Sequence, residues 1–263
     1  MKQKVSLVLS GGGARGIAHI GVIEELENNG FEIISIAGTS MGALVGAIYA
    51  NGKLNEYKKW LCTLTKFDVF KLMDFTLSKQ GFVKGDRIFK KMTEFIGDVK
   101  FEDLSIPLSV TATNISAGKE VVFTKGNLIE AVRASVAIPT VLTPVKKDKH
   151  FLIDGGVINN LPISNLKRFE NDILVVVDVN ANPTNSKPKL KMNYFDIIGK
   201  SIMILIEKVS EHTIEIYQPD VVVKIQNDAA NVLDFYKADK MIKMGKDKAK
   251  KEIELFLNKI KNA

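Results

Sequence analysis

A single serine, Ser40, stands between two glycines in the segment IAGTSMGALVG, residues 36–46. Gly38 and Gly42 lie two positions before and two positions after it, which is the Gly-x-Ser-x-Gly spacing of a nucleophile elbow. In that turn a strand reverses sharply into a helix, and side chains at the two glycine positions would collide. The helix would direct its first amides towards the hydroxyl and favour negative charge there. On this segment alone, a helix N-cap surrounded by small packing residues remains an alternative.

A glycine cluster, SGGGARG at residues 10–16, follows the first apolar run of the chain. Its G-x-G-x-x-G spacing also occurs in dinucleotide-binding loops, but those need an acidic residue at the end of the next strand, where this sequence has AGT at 37–39. The Gly-Lys-Ser/Thr of a phosphate-binding P-loop is absent. Three consecutive glycines also carry an entropic cost that a plain turn does not require. The cluster therefore predicts an oxyanion hole built from Gly11, Gly12 and Gly13, with Arg15 adding positive field.

A nucleophilic serine needs a proton acceptor, and Asp154 has the most suitable sequence setting. It ends an apolar strand and precedes Gly155 and Gly156, which allow a tight turn that presents the carboxylate; a purely structural Asp-Gly turn is the alternative. A carboxylate of ordinary pKa is a weak base for a hydroxyl in water, so it would need a dry site with strong oxyanion stabilisation. His212 stands in the Ser…Asp…His order of a catalytic triad and also remains open.

The elements that must position these residues alternate between strand and helix. Apolar runs and helical spacing predict a strand, a helix, a second strand and a second helix over the first fifty residues, which implies parallel strands joined by right-handed crossovers. With 263 residues and 46% hydrophobic composition, we expect one α/β domain over 1–263, with a core at about 5–180 and C-terminal helices and a strand at 194–263. The later predicted elements are a hairpin (107–116 with 120–124), a helix (127–137) and two strands (150–156 and 172–179).

Composition limits the compartment and the partners. The one cysteine, Cys62, excludes an internal disulfide and suits a reducing compartment. The sequence shows no signal-peptide core and no run of roughly 20 apolar residues, so we expect a cytoplasmic protein. No cluster of histidines and carboxylates has ligand spacing, so no metal is expected. Because the glycine cluster lacks the acidic residue of a dinucleotide site and the lysine of a P-loop, no cofactor is expected either. The net charge of +7 suggests an anionic partner.

Three segments together resemble one family, the patatin-like phospholipases. SGGGARGIAHIGVIEEL, GTSMGALVGAIYANG and LIDGGVINNLP match its motifs in order and spacing, and the resemblance covers residues 5–180. It implies a serine–aspartate dyad without histidine, in which Ser40 is the nucleophile, Asp154 the base and the glycine cluster with Arg15 the oxyanion site. It also implies a three-layer α/β/α sandwich with a mainly parallel central sheet, and hydrolysis of acyl esters of phospholipids or lysophospholipids.

Two other classes of protein remain open on the sequence. One is an α/β-hydrolase or acyltransferase whose triad uses His212. The other is a non-catalytic lipid- or nucleotide-binding protein that keeps the glycine loop to hold phosphate. A serine-directed fluorophosphonate separates the binding protein from both enzymes, because a binding module would not be labelled.

Two further segments have the composition of lipid-facing surfaces. Residues 67–82 are rich in phenylalanine, leucine and methionine, and predict either an acyl-chain wall or lid, or simply core packing. Residues 237–263 carry nine lysines against four acidic residues on one amphipathic helix. That helix is a candidate for peripheral contact with an anionic membrane at its inner surface, and packing onto the domain is the alternative. A nucleic-acid partner is not expected.

Overall fold

The computed structural model describes residues 2–78, 81–83, 85–139, 141–183 and 193–262. The side chains at 75–78, 81–83, 195 and 196 lie outside this description. The strands are β1 Lys4–Leu9, β2 Glu32–Thr39, β3 Phe75–Ser78, β4 Gly81–Val83, β5 Leu108–Asn114, β6 Lys119–Phe123, β7 Val145–Lys147, β8 His150–Asp154, β9 Ile173–Ala181 and β10 Val221–Gln226.

Eight of these strands form one sheet in the order β10-β9-β1-β2-β5-β8-β7, with β6 paired to β5, while β3 and β4 form a separate hairpin. The five strands β10, β9, β1, β2 and β5 are all parallel to one another. Strands β6, β7 and β8 are antiparallel to their partners. The predicted mainly parallel sheet is therefore confirmed, and the hairpin predicted at 107–116 and 120–124 corresponds to β5 and β6.

The described helices lie between these strands. Their bounds are α1 Ala18–Asn28, α2 Met41–Ala50, α3 Leu54–Thr63, α4 Lys66–Leu72, α5 Asp86–Ile96, α6 Leu128–Ser135, α7 Tyr194–Tyr217 and α8 Ala238–Lys261. The first predicted helix is divided, because the glycine cluster leads into a 3-10 turn at Gly13–Ile17 before α1 begins. None of these helices is both long and apolar enough to cross a membrane.

Helices cover both faces of the sheet. On one face, apolar side chains of β1, β9 and β10 share a core with α1, α2 and α8. On the other face, a smaller core joins Val8, Ala37 and Val176 to the segment 161–166 and to Ile214 of α7. The predicted three-layer α/β/α sandwich is confirmed by this arrangement.

Helix α8 uses its apolar stripe to pack against α1. A Cβ at Gly245 would lie 2.0 Å from the carbonyl oxygen of Ala18, and one at Gly21 would lie 2.0 Å from that of Ile242. Because both glycines face the opposite backbone, the two helices approach closely and bury the stripe. Of the two alternatives for residues 237–263, packing onto the domain accounts for the apolar residues up to Ile253, while Leu255, Ile260 and many of the lysines are exposed.

Strand β5 brings the ends of two other strands together. Along one edge of β5, β2 pairs in parallel as far as Thr39 opposite Thr111, and β8 pairs antiparallel with Asp154 opposite Ala112. Strand β6 occupies the other edge of the same residues. The carboxyl ends of β2 and β8 therefore meet head-on at adjacent positions of β5. This junction places the residue after β2, Ser40, beside the last residue of β8.

Candidate active site

Ser40 occupies a strained turn between β2 and α2. Its backbone has φ 53° and ψ −121°, a conformation that costs energy for a residue with a side chain and that concentrates at functional sites. A Cβ at Gly38 would lie 2.6 Å from the amide nitrogen of Ala43, and one at Gly42 would lie 2.1 Å from the carbonyl oxygen of Leu9. Both glycines therefore have the steric role that the Gly-x-Ser-x-Gly spacing predicts.

The side chains of Ser40 and Asp154 are in direct contact. The Ser40 hydroxyl donates a hydrogen bond of 2.5 Å to Oδ2 of Asp154. The other carboxylate oxygen, Oδ1, accepts a bond of 2.7 Å from the amide of Gly156. Both side chains are buried, with 3% of Ser40 and 7% of Asp154 exposed. The structure thus brings together the two residues that the sequence singled out as nucleophile and base.

Burial changes the proton affinity of the carboxylate. Removal from water penalises the charged form and raises the pKa of Asp154 to about 6, although the hydrogen bonds from Ser40 and Gly156 act in the opposite direction. At neutral pH the carboxylate is still ionised, and it is a stronger base than an ordinary aspartate. The dry setting that a carboxylate base would need is therefore present.

Ser135 anchors this junction from α6, and the sequence analysis assigned it no role. Its hydroxyl donates to the carbonyl of Thr111 at 2.6 Å and accepts from the amide of Ser40 at 2.8 Å. Gly155 lets the aspartate turn pass close to the same strand, since a Cβ there would lie 2.2 Å from the Thr111 carbonyl oxygen. Ser135 could be found only through its position in the fold, because nothing in its local sequence distinguishes it.

The glycine loop lies directly against Ser40. A Cβ at Gly11 would lie 3.0 Å from the Cβ of Ser40. The loop is held from two sides, since the Gly11 amide donates to the carbonyl of Asn160 at 3.3 Å and the Gly11 carbonyl accepts from Nδ2 of Asn180 at 2.6 Å. The amides of Gly12 and Gly13 donate to no acceptor among the described residues. These two backbone donors therefore have no acceptor in the described part of the chain, and Gly13 lines the same cavity as Ser40.

The guanidinium of Arg15 is directed to the ends of β9 and β10. It donates to Oδ1 of Asn180 at 2.7 Å and to the carbonyl of Asn227 at 3.0 Å. Burial lowers the pKa of Arg15, and the charge of Asp178 opposes that shift. Arg15 thus reaches the glycine loop through Asn180, whose amide holds Gly11. Its contribution to an oxyanion site would come from orienting the loop and from its positive field.

None of the hydrogen bonds described for Ser40 and Asp154 involves a histidine. His19 is fully buried and bonded to the carbonyl of Ser10 at 2.8 Å, and burial lowers its pKa to about 4, so the ring is neutral. His212 is exposed on α7 with its Nδ1 3.6 Å from Glu215, and His150 is exposed at the start of β8. Within the described part of the chain, no group of three or more His, Cys, Asp or Glu residues could hold a metal ion.

An apolar cavity of about 110 Å³ opens beside Ser40, which is room for several water molecules. Gly13 and Ser40 contribute its polar end. The rest of the wall consists of apolar side chains from the helices α2 to α6 and from the loops that follow α3, α4, α6 and β10. Representative wall residues are Leu44, Leu61, Met92, Val132, Leu142 and Phe235.

The segment predicted as an acyl wall or lid contributes to this cavity in its first half. Val69, Leu72 and Met73 line the cavity from α4 and its end. Phe67 and Phe70, on the same helix, are 63% and 59% exposed. Residues 79 and 80 and the side chains at 75–82 lie outside the described residues. Within the described part, the segment forms a wall of the cavity.

Comparison with known proteins identifies the family. The chain matches the sequence model of the patatin-like phospholipases over residues 7–167 and therefore belongs to that family, as its three motifs predicted. An uncharacterized NTE family protein of Mycobacterium bovis is 37% identical over 208 residues, which cover 78% of this chain and 58% of that protein. Lysophospholipase NTE1 of Pyricularia oryzae is 33% identical over 185 residues, covering 67% of this chain and 12% of that protein. The chain thus spans little more than half of the mycobacterial relative and a small part of the fungal one.

Solved structures share the fold at much lower sequence identity. VipD from Legionella pneumophila has a TM-score of 0.50 and 15% identity, with 97% of this chain and 67% of that chain covered. ExoU, solved in its complex with SpcU from Pseudomonas aeruginosa, has a TM-score of 0.52 and 16% identity, with 98% and 52% covered. These similarities support the architecture described above.

Proposed function

We propose that this protein is a serine acyl hydrolase that cleaves fatty-acyl esters of phospholipids or lysophospholipids through a Ser40–Asp154 dyad. The observation that carries the proposal is the 2.5 Å hydrogen bond from the Ser40 hydroxyl to a buried carboxylate. Membership of the patatin-like phospholipase family supports the same chemistry.

The dyad supplies both the nucleophile and the proton transfers. Asp154 Oδ2 accepts the hydroxyl proton as Ser40 Oγ attacks the ester carbonyl, and a tetrahedral intermediate forms. The proton then passes from Asp154 to the oxygen of the leaving alcohol, which departs and leaves an acyl-serine. A water molecule gives its proton to Asp154, attacks the acyl-serine and releases the fatty acid, and the proton returns to Ser40.

The glycine loop would stabilise the intermediate. The free amides of Gly12 and Gly13 are donors available for the developing oxyanion, next to the amino end of α2. Because Gly11 is bonded on both sides and Asn180 is in turn held by Arg15, these donors are positioned before substrate arrives. A carboxylate is a weak base for a hydroxyl, so proton transfer to Asp154 lowers the activation free energy only in part. Preorganised donors to the oxyanion would supply much of the remaining reduction.

The cavity supports a lipid substrate. A fatty-acyl chain would lie among the aliphatic and aromatic side chains, with its ester carbonyl at the polar end formed by Gly13 and Ser40. The fungal relative is named a lysophospholipase, and we extend that substrate class to this chain as part of the proposal.

The lysine-rich side of α8 is the surface proposed to meet an anionic membrane. Its apolar stripe is buried from Ala238 to Ile253, so the contact of this part would be electrostatic and would not involve insertion into the bilayer. Binding to anionic vesicles should weaken with added salt, and with charge reversal at Lys248, Lys250 and Lys251. Equal binding to neutral and anionic vesicles would contradict this contact.

The activity is tested by direct hydrolysis of defined lipids. Purified protein should release free fatty acid from phosphatidylcholine or lysophosphatidylcholine, and chain-specific labels would show which ester is cleaved. Ser40→Ala should remove this activity without loss of folding. Ser35→Ala, in the buried strand β2 that precedes Ser40 but bonded to Ser6 and the Lys167 carbonyl, is the matched control and should retain it. Binding of lipid without any release of fatty acid would favour a non-catalytic binding protein.

A further inference from the structure

Helix α7 presents much of its apolar surface to solvent. Ile198, Ile202, Leu205, Val209 and Ile216 are between 41% and 65% exposed. On the side towards the sheet, by contrast, the helix buries polar groups, and Glu207 Oε1 and Ser210 Oγ have no hydrogen-bond partner among the described residues. An exposed apolar surface of this size on a packed helix usually marks an interaction site.

The exposed residues follow a regular spacing. Positions 198, 202, 205, 209, 212 and 216 advance by four, three, four, three and four residues, and all are apolar except His212. We call these six positions the α7 stripe. Spacing of this kind places side chains along a narrow seam, about 27 Å long here, which is the pattern of helices that pack side by side.

The charge of this helix indicates which partner covers it. The exposed apolar face extends beyond the α7 stripe, since Tyr194, Ile197, Ile204 and Tyr217 are also between 44% and 71% exposed. A helix that lies in an anionic membrane surface has a polar face rich in lysine and arginine. The described side chains of α7 include two lysines, Lys200 and Lys208, against three glutamates, Glu207, Glu211 and Glu215, so the helix carries no excess of positive charge. This charge does not favour an anionic bilayer, and the presence of both signs suits a second helix.

We propose that the α7 stripe is a homodimer interface in which the helix packs antiparallel against α7 of a second copy. An alignment about position 207 places Ile198 opposite Ile216 and Leu205 opposite Val209 of the second copy, twice by symmetry. It leaves Ile202 opposite His212. The stripe is therefore complementary to itself in this direction, as a two-fold interface requires.

Charge complementarity selects the same direction. In the antiparallel pair, Lys200 of each copy falls beside the segment of the other that carries Glu211 and Glu215. A parallel pair would set these glutamates against their own counterparts, and it would also align the two helix dipoles unfavourably. The proposal does not depend on the enzymatic activity, so it stands or fails separately from the proposed function.

The first test is the mass of the full chain in solution. Sedimentation velocity over a concentration series should show a species of twice 29.1 kDa for the wild type. Leu205→Glu places a charge at the centre of the seam and should weaken association by at least about tenfold. The matched control is Ile204→Glu, because Ile204 is similarly exposed at 56% but lies about 100° round the helix and outside the stripe. It should dimerise as the wild type does.

The second test determines the direction. In a Cys62→Ser background, protein with Ile198→Cys should form disulfides when mixed under oxidation with protein carrying Ile216→Cys, and neither should cross-link alone. Efficient cross-linking of either variant with itself would overturn the antiparallel pairing. A wild-type protein that stays monomeric at all concentrations would overturn the interface. So would loss of vesicle binding in monomeric Leu205→Glu, because the face would then belong to a lipid surface.

Discussion

The two sides of Ser40 have opposite character. On one side, the glycine loop, the aspartate turn and Ser135 form a polar network in which Gly11 is bonded through both its amide and its carbonyl, and Asp154 through both its oxygens. On the other side, the cavity is walled by aliphatic and aromatic side chains from several helices. Proton transfer and oxyanion stabilisation on the polar side require one exact arrangement of donors and acceptors. Binding of an acyl chain on the apolar side requires only sufficient volume and the exclusion of water. Changes on the first side should therefore alter the rate of reaction, and changes on the second should alter which substrate reacts.

The largest effect is expected on the polar side at the proposed base. Asp154→Asn keeps the size of the side chain but removes its ability to accept the serine proton, so turnover should fall by at least about 10³-fold. Hydrolysis of a chromogenic ester, together with a thermal melt that shows the fold is intact, measures this effect. Retention of a tenth or more of the activity would contradict Asp154 as the base.

A somewhat smaller loss is expected from the glycine loop. A Cβ at Gly13 would lie 2.5 Å from the carbonyl oxygen of Val232 at φ 57°, so Gly13→Ala should displace the loop and lower turnover by about a hundredfold. Gly30→Ala is the matched control, because Gly30 also has positive φ, at 80°, but faces open space. If turnover falls by the same factor in both variants, general backbone strain explains the loss, and the loss of oxyanion donors does not.

The charge of Asp154 should also appear in the stability of the fold. Its folded pKa of about 6 lies above the ordinary value of 3.8, so the native state binds the proton more tightly than the unfolded chain between these values. Wild-type stability should therefore fall as pH rises from about 4 to 6 and then level off. Relative to Asp154→Asn, the loss should reach about 3 kcal/mol, measured by chemical denaturation across that range. Parallel stability curves for the two proteins would show that the carboxylate is not desolvated.

The apolar side should respond more mildly and more selectively. Leu44→Phe adds volume to the cavity wall and should lower kcat/KM for long-chain esters by about tenfold relative to short-chain esters. A panel of p-nitrophenyl esters of increasing chain length measures this ratio. An equal loss for all chain lengths would mean that the substitution disturbs the dyad and that the cavity does not hold the acyl chain.

The same contrast explains how much of the site the sequence could predict. Ser40, the glycine cluster and Asp154 lie in short local patterns whose steric demands are visible in the residue types. The meeting of β2 and β8 on β5 depends on an antiparallel pairing between distant segments, and no local pattern encodes it. The role of Ser135 depends on that junction, and the role of Asn180 depends on the separate pairing of β9 with β1, so no local pattern indicates either residue.

Helix α7 shows a second limit of sequence patterns. Its apolar periodicity predicts a helix, and such a stripe ordinarily faces the core. In α7, Ile214 and polar residues including Glu207 and Ser210 are buried on the side towards the sheet, whereas the α7 stripe is exposed to solvent. Periodicity identifies an apolar face but cannot say whether the same chain or another one covers it.

The most direct test of the dyad is the rate at which a fluorophosphonate labels Ser40, measured at a series of pH values. Intact-protein mass spectrometry monitors the labelling. If Asp154 is the base, labelling of the wild type should rise with pH around the Asp154 pKa of about 6. His19→Gln, His150→Gln and His212→Gln should then follow the wild-type curve, and Asp154→Asn should label only at a background rate. Loss of labelling in a folded His212→Gln protein, with labelling preserved in Asp154→Asn, would contradict the dyad and establish a histidine as the base.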